Sequence, residues 1–320
     1  MSRAQSPPDA SAAGLLPLAP LVQALAPREG YTLTALESVR LLRSDRPLAR
    51  TPVLYDPGIV IVCQGRKRGY FGQRIYVYDA HQYLAVSVRV PFTMETDATA
   101  QAPLLALYLH LDFPLAAELM LEIDRHGGPP RTAAPQSLLS SPIDPALHQA
   151  VQRLLLALAT PMDAAVLGPQ QLRELYYRLL TGPQGPTLRA ALAMQGRFGR
   201  IGKALRHLHA AYAQPLTVAQ LAEEAGMSAP SFHSHFKAVT CTSPMQYLKS
   251  TRLHQARLLM VREGMTAAAA CHAVGYESPS QFNREFKRLF GLTPAREVQR
   301  MRDSFAVPPK QAVAEYVSSH

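Results

Sequence analysis

SAPSFHSHFKAVTCTSP, from Ser228 to Pro244, and SPSQFNREFKRLFGLTP, from Ser278 to Pro294, align without a gap at an offset of 50 residues. Phe232 pairs with Phe282, Phe236 with Phe286 and Lys237 with Lys287. Upstream the offset falls to 49, pairing Thr217 with Thr266, Ala222 with Cys271 and Gly226 with Gly275, so one unit occurs twice. Each copy offers a threonine suited to cap a helix, a small residue four before a glycine, the glycine itself, and a helix opened by serine. That order spells a helix, a tight turn and a second helix. The small residue lets the two helices approach, and the glycine supplies the positive φ that ends the first.

In the second helices Phe232, Phe236 and Val239, and likewise Phe282, Phe286 and Leu289, share one face and are expected to pack inward. The opposite face carries Ala229, Pro230, His233, Ser234 and Lys237 in copy one, and Ser280, Gln281, Asn283, Arg284 and Lys287 in copy two. Such residue types hydrogen-bond base edges or phosphates in a major groove. An ordinary solvated helix would look similar, but duplication and charge weigh against that reading. From Lys203 to Arg302 there are 13 Lys and Arg against six Glu and no Asp, so this stretch holds +7 of the net +10, the signature of a polyanion partner. Between the copies, Leu248, Leu253, Ala256, Leu259 and Met260 recur at helical spacing and predict a stiff connecting helix over Tyr247 to Met260. Two reading helices on one side of B-DNA sit about 34 Å apart, so such a connector either meets that spacing or bends the DNA.

The rest of the 320 residues reads differently. Short β-prone runs at Ile59–Cys63, Arg74–Tyr78, Tyr83–Val88 and Leu104–Leu111, punctuated by Gly69, Gly72 and Asp79, predict a small antiparallel barrel or sandwich. Pro129, Pro130, Pro135 and Pro142 cluster where strands give way to helices and suggest a hinge. Beyond them Leu147, Val151, Leu154, Leu155 and Leu158, then Leu172, Leu175, Tyr176, Leu179 and Leu180, fall at helical spacing. These leucines fit a homodimer contact or packing within the chain equally well. The N-terminal stretch, with five of the 27 prolines and an apolar run broken by Pro17 and Pro20, reads as a loose leader rather than a signal peptide. The fold class is therefore α+β, divided into a flexible leader over 1–30, a β-barrel effector domain over 31–130, a helical linker over 131–204, a double helix-turn-helix domain over 205–303 and a tail over 304–320.

With 48% apolar and 18% charged residues the chain can bury real cores. Cys63, Cys241 and Cys271 are odd in number and far apart, which encodes neither a zinc knuckle nor a disulfide framework and fits a reducing cytoplasm. No apolar run reaches the roughly 18 to 20 residues of a membrane span.

At these residues the sequence resembles the AraC/XylS family of bacterial transcription regulators. RLHQARLLM, AVGYESPSQFNREFKRLFGLTPAREVQ and LAEEAGMS with HFK carry the likeness over Leu205 to Arg302. TPVLYDPGIVIVCQGRKRGYFGQRIYVYDAHQYL, VPFTMETDA and ELYYRLLTGPQG extend it to the N-terminal effector region of one subgroup. The resemblance implies a one-component transcription factor with a cupin-like barrel that senses a small-molecule effector or dimerises. It further implies a reader of double-stranded promoter DNA, with RNA polymerase as a further partner and no cofactor; a role as activator or as repressor is not written in the sequence. Where the family usually has arginine in the first recognition helix this chain has Ser234, whereas Arg284 is kept in the second, so guanine reading rests mainly on Arg284. Cys241 replaces the usual glycine after the first recognition helix, which predicts a different helix ending from that at Gly291. Cys271 stands where alanine is common.

Competing chemistries find little support. His207/His209 and His233/His235 are spaced i, i+2, which on a helix turns the rings about 200° apart and precludes a shared metal ion. His81, His110 and His126 are not paired at strand spacing, so no enzyme is expected; the alternative is a barrel-type enzyme or an electrophile sensor fused to a DNA-binding anchor. For a sensor, Cys63 beside Arg66, Lys67 and Arg68 is the candidate thiol, although a cysteine in IVIVC also fits a small buried hydrophobe. Cys63, Arg66, Tyr76 and Tyr78 are the candidate effector residues. The Arg66–Lys67–Arg68 run is otherwise a solvated hairpin rim, and Tyr70, Phe71 and Tyr83 line a pocket or form barrel core.

Overall fold

Side chains alternate across a strand, and in this protein that period decides which residues meet. The computed structural model describes residues 16–128 and 133–304. Ten strands form its first part: β1 (Gly30–Leu33), β2 (Val39–Ser44), β3 (Leu48–Tyr55), β4 (Gly58–Gln64), β5 (Arg66–Phe71), β6 (Arg74–Asp79), β7 (Gln82–Val86), β8 (Val90–Asp97), β9 (Leu104–His110) and β10 (Leu138–Pro142). They make a six-stranded sheet in the order β1-β2-β9-β4-β7-β10 and a four-stranded sheet in the order β3-β8-β5-β6. All pairings are antiparallel. Alternate residues of β4 and β9, Val60, Val62, Leu104, Ala106 and Tyr108, face Val53, Phe92 and Met94 of the smaller sheet. Their neighbours Ile59, Ile61, Cys63, Leu105 and Leu107 face helices on the other side. Burial on both faces explains why IVIVC and LLALYLHL read as continuous apolar runs.

The covering helices are α1 (Leu18–Leu25), α2 (Phe113–Arg125), α3 (Pro145–Ala157), α4 (Pro161–Val166), α5 (Gly168–Thr181) and α6 (Gly185–Leu192). Leu147, Val151, Leu154, Leu155, Leu175, Tyr176, Leu179 and Leu180 are all buried against the sheet. Packing within the chain therefore accounts for them, and they are not free to form a dimer contact; of that set of leucines Leu158 and Leu172 are partly buried against the same core. Two expectations about the first 200 residues need correction. The leader contains α1, whose Leu18 and Val22 are buried against this core, because the apolar residues between Pro17 and Ala26 supply one helical face. The helical linker contains β10, which pairs with β7 from Leu138 to Pro142 and extends the larger sheet. Of the proline cluster, Pro135 precedes β10 and Pro142 ends it, while Pro129 and Pro130 lie outside the described residues. Residues 1–15 and 305–320 also lie outside them.

The last third is helical: α7 (Gly196–Ala210), α8 (Val218–Glu224), α9 (Ala229–Thr240), α10 (Pro244–Arg262), α11 (Ala267–Ala273), α12 (Pro279–Phe290) and α13 (Pro294–Ser304). Phe232, Phe236, Tyr247 and Leu248 join the core that begins between the two sheets. Leu253, Ala256, Met260, Cys271, Phe282, Phe286 and Phe290 form a separate core for the second motif. The connecting helix α10 is buried on several sides, at Tyr247, Leu248, Thr251, Leu253, His254, Ala256, Arg257 and Met260, because it touches both motifs and the strand domain.

Candidate nucleic-acid interface

Two copies of one capping and turn chemistry fix the reading helices. The Thr217 and Thr266 side chains accept hydrogen bonds from the backbone N–H groups of Gln220 and Ala269, which starts α8 and α11. Gly226 and Gly275 end the turns at φ of 60° and 82°. At Gly275 a Cβ would lie 2.3 Å from the Ala213 carbonyl oxygen, so both conformation and space demand glycine. Ala222 and Cys271 are buried at the close approach. Both reading helices end on a left-handed residue, Cys241 at φ 58° and Gly291 at 77°. The expected difference in ending is absent: the Lys237 and Lys287 carbonyls accept the same closing bond, and the cysteine adopts the strained conformation.

On α9, Phe232, Phe236 and Val239 are buried, while Ala229, Pro230, His233, Ser234 and Lys237 are exposed. On α12, Phe282 and Phe286 are buried, while Ser280, Gln281, Asn283, Arg284 and Lys287 are exposed. The ten sequence-predicted positions thus fall on two solvent-facing surfaces, five on each motif. Gln281 is partly engaged, its amide donating to Glu285 at 3.3 Å. Glu285 also accepts from Lys249 of α10 at 2.8 Å and from the Tyr276 hydroxyl at 2.6 Å, which ties α12 to the connector. Arg252 of α10 donates to the carbonyls of Tyr212, Gln214 and Gly275, holding the second turn.

Sequence reading missed a third set of exposed cations. Arg197, Arg200, Lys203 and Arg206 line the outer half of α7, which packs on α8 and α9. Arg200 donates to the carbonyl of the turn glycine Gly226 at 3.1 Å. The signal was present in GRFGRIGKALRHLHA, a helix with no acidic residue. His207 and His209 diverge as their spacing requires: His207 meets Glu224, and His209 meets the Tyr247 hydroxyl at 2.7 Å. No group of three metal-ligating side chains occurs among the described residues.

The four candidate effector residues are not brought together. Cys63 faces the helical layer, and burial pushes its thiol up to about 12, the opposite of a reactive thiolate. Arg66 is exposed, Tyr76 lies at the β6–β10 edge, and Tyr78 is buried between the sheets with its hydroxyl 3.2 Å from that of Tyr55. Phe71 belongs to the same inner core, Tyr83 packs on the helical side, and the Tyr70 hydroxyl donates to Glu95. The basic run is not a solvated rim throughout. Strand alternation leaves Arg66 outside and turns Lys67 fully inward, while Arg68 pairs with Glu95 and Asp97.

Both motifs are held to the strand domain. Ser137 Oγ donates to the Val239 carbonyl at 2.5 Å, and the Tyr247 hydroxyl donates to that of Arg89 at 2.8 Å. In the second motif Arg300 donates to Thr51 Oγ1 at 3.4 Å, and the Asp303 carbonyl accepts from Arg46 at 2.8 Å.

A strand domain is thus joined to a duplicated helix-turn-helix unit in one chain. Residues 35–187 match the AraC-type transcriptional regulator N-terminus family, and residues 221–300 match a helix-turn-helix domain family. The chain belongs to the AraC/XylS family of transcription regulators. The virulence regulon transcriptional activator VirF of Yersinia enterocolitica is 25% identical over 82% of this chain and 96% of its own length. The RCS-specific transcriptional activator RclR of Escherichia coli is 34% identical over 32% of this chain. Other matches are partial: the chain spans 60% of a second VirF sequence, 36% of RclR and 31% of an AraC-like regulator of Streptomyces lividans. Among solved structures, unsaturated fatty acid bound ToxT of Vibrio cholerae superposes with a TM-score of 0.58 at 12% identity, over 89% of this chain and all of that one. No described helix is long and apolar enough to cross a membrane.

Proposed function

We propose that this protein is a one-component, cytoplasmic transcription regulator rather than an enzyme. In this reading it places α9 and α12 in two adjacent major grooves of double-stranded promoter DNA. The observation that carries the reading is the pair of matched helices whose apolar faces are buried and whose ten polar-face residues all remain exposed. The connector supports it, since α10 has 19 residues and is therefore roughly 28 Å long at 1.5 Å per residue, commensurate with a DNA turn of about 34 Å. Arg284 reads guanine; His233, Ser234, Gln281 and Asn283 supply shorter hydrogen bonds to bases; Lys237 and Lys287 neutralise phosphates.

The strand domain is the regulatory part, and its contacts through Ser137, Arg89, Thr51 and Arg46 let its state bias how the motifs are presented. A small-molecule effector is proposed to act there, as a fatty acid is bound in ToxT. Activation through RNA polymerase is proposed from the relatives named as activators. Any homodimer uses a surface other than the buried leucines of α3 and α5. Titrating labelled promoter fragments with the full chain at several salt concentrations tests the reading. Tight binding that prefers one fragment and weakens steeply with salt supports it, and equal binding to random DNA identifies a nonspecific architectural binder.

A further inference from the structure

Lys67 has no exposed surface, yet among the described residues no carboxylate pairs with it. Its Nζ donates to the Tyr108 hydroxyl at 2.5 Å and lies 5.3 Å from the centre of the same ring. An ammonium buried without a counter-ion is costly, and a well-packed apolar side chain would serve the core better. Lys67 also borders a cavity of about 40 Å³ between the two sheets, whose other walls include Tyr31, Leu42, Leu48, Met94, Thr96 and Leu104. The rim carries Glu29, Arg43 and Arg46, and Arg46 is the residue that donates to the Asp303 carbonyl in α13. Lys67 and Arg46 thus border one cavity, and Arg46 is a contact to the second reading unit.

We propose that Lys67 is a covalent receptor site for short-chain aldehydes, which it captures as an imine. This rests on the reading of the strand domain as the regulatory part and names the chemical class of its ligand. The Nζ lone pair attacks the carbonyl carbon, the carbonyl oxygen takes up a proton, and the resulting carbinolamine loses that oxygen as water to leave a C=N bond. No oxidant or reductant is consumed. Apolar walls suit a neutral carbonyl, which enters without stripping water from a charge. Burial holds the amine at about 7, so a large fraction is the neutral nucleophile at neutral pH. The Tyr108 hydroxyl, which burial keeps protonated, is placed to give and take protons at the same nitrogen. The cavity is small, about 40 Å³, which favours an aldehyde of a few carbons over a long-chain one.

The test is reductive trapping on the full chain with propanal and cyanoborohydride at pH 7, read by peptide mass mapping. Lys67 is expected to be alkylated at least about tenfold faster than the exposed Lys203, Lys237 and Lys287, because far less of an ordinary lysine is neutral at this pH. Octanal is expected to lose that preference. Lys67→Met removes the fast site without burying a new charge, and Lys67→Arg keeps the charge while abolishing imine formation; both keep slow labelling elsewhere. Labelling of Lys67 no faster than the exposed lysines overturns the proposal, as does protection by propionate with no adduct at Lys67, which identifies an anion pocket instead. DNA affinity measured on the trapped protein separates the two readings. An adduct that leaves binding unchanged contradicts the regulatory role of the domain while keeping the receptor chemistry.

Discussion

The Tyr247 hydroxyl, on the helix that joins the two reading units, donates to the backbone carbonyl of Arg89 in the strand domain at 2.8 Å. Tyr247 is fully buried in the core around Phe236 and Leu248, while Arg89 is half-buried. Tyr247→Phe leaves the Arg89 carbonyl and the His209 nitrogen without this partner and is expected to destabilise the docked arrangement by about 1 to 3 kcal/mol. Urea unfolding followed by intrinsic fluorescence measures the loss. An unchanged midpoint indicates that the docking does not depend on this bond.

His209 sits 2.7 Å from the same hydroxyl, and burial holds it well below the usual histidine range. His110 is pushed down to about 4 and His254 well below its usual value, again chiefly by burial. All three are neutral when folded, whereas the unfolded chain takes up protons near 6.5. Unfolding thus binds protons below that value, and stability is expected to fall as pH drops from about 6.5 towards 4, by at most about 1.4 kcal/mol per pH unit for each group. Denaturant midpoints at pH 7.5, 6 and 5 read the slope, which His209→Gln is expected to flatten.

Arg257 and Glu297 are both fully buried and meet at 3.1 Å, with His254 and Arg300 completing the cluster. Glu297→Gln leaves the Arg257 charge without its counter-ion, and a loss of about 3 to 5 kcal/mol is expected, concentrated in the second motif. Hydrogen exchange in α11 to α13 checks this, with faster exchange there than in α8 and α9 as the expected result.

Much of this architecture was legible before any coordinates. The repeat fixed the turns because glycine at positive φ, threonine caps and a phenylalanine pair at i, i+4 are local requirements, written where they act. The strand domain was harder. β1 to β3 lack long apolar runs, and the residues of β10 became a strand only through pairing with β7, a contact distant in sequence. Lys67 was misread for the same reason: in Arg66–Lys67–Arg68 the charge pattern says surface, and only the strand register turns the middle residue inward. For Cys241 the departure from glycine was visible, but it did not alter the backbone. The following chain and the Lys237 carbonyl impose the left-handed ending regardless. Relief of that strain predicts that Cys241→Gly stabilises by up to about 1 kcal/mol, measurable as a raised thermal midpoint.

Cysteine accessibility separates the sensor readings. Burial raises all three thiols, but Cys63 and Cys271 are buried whereas Cys241 is exposed. Iodoacetamide is expected to modify Cys241 first in the native protein, checked by mass mapping. Prior modification of Cys63 argues for an electrophile sensor.

The central claim is that two matched helices read two neighbouring grooves, and in vitro selection of DNA by the full chain tests it most directly. The predicted result is a bipartite site with half-sites about 10 to 10.5 base pairs apart, in which Arg284→Ala relaxes preference at one guanine. In the same selection Lys237→Ala and Lys287→Ala lower affinity evenly, each reducing the salt slope by about 1. A selected pool with no second half-site, or with sequence preference unaltered by Arg284→Ala, contradicts the account.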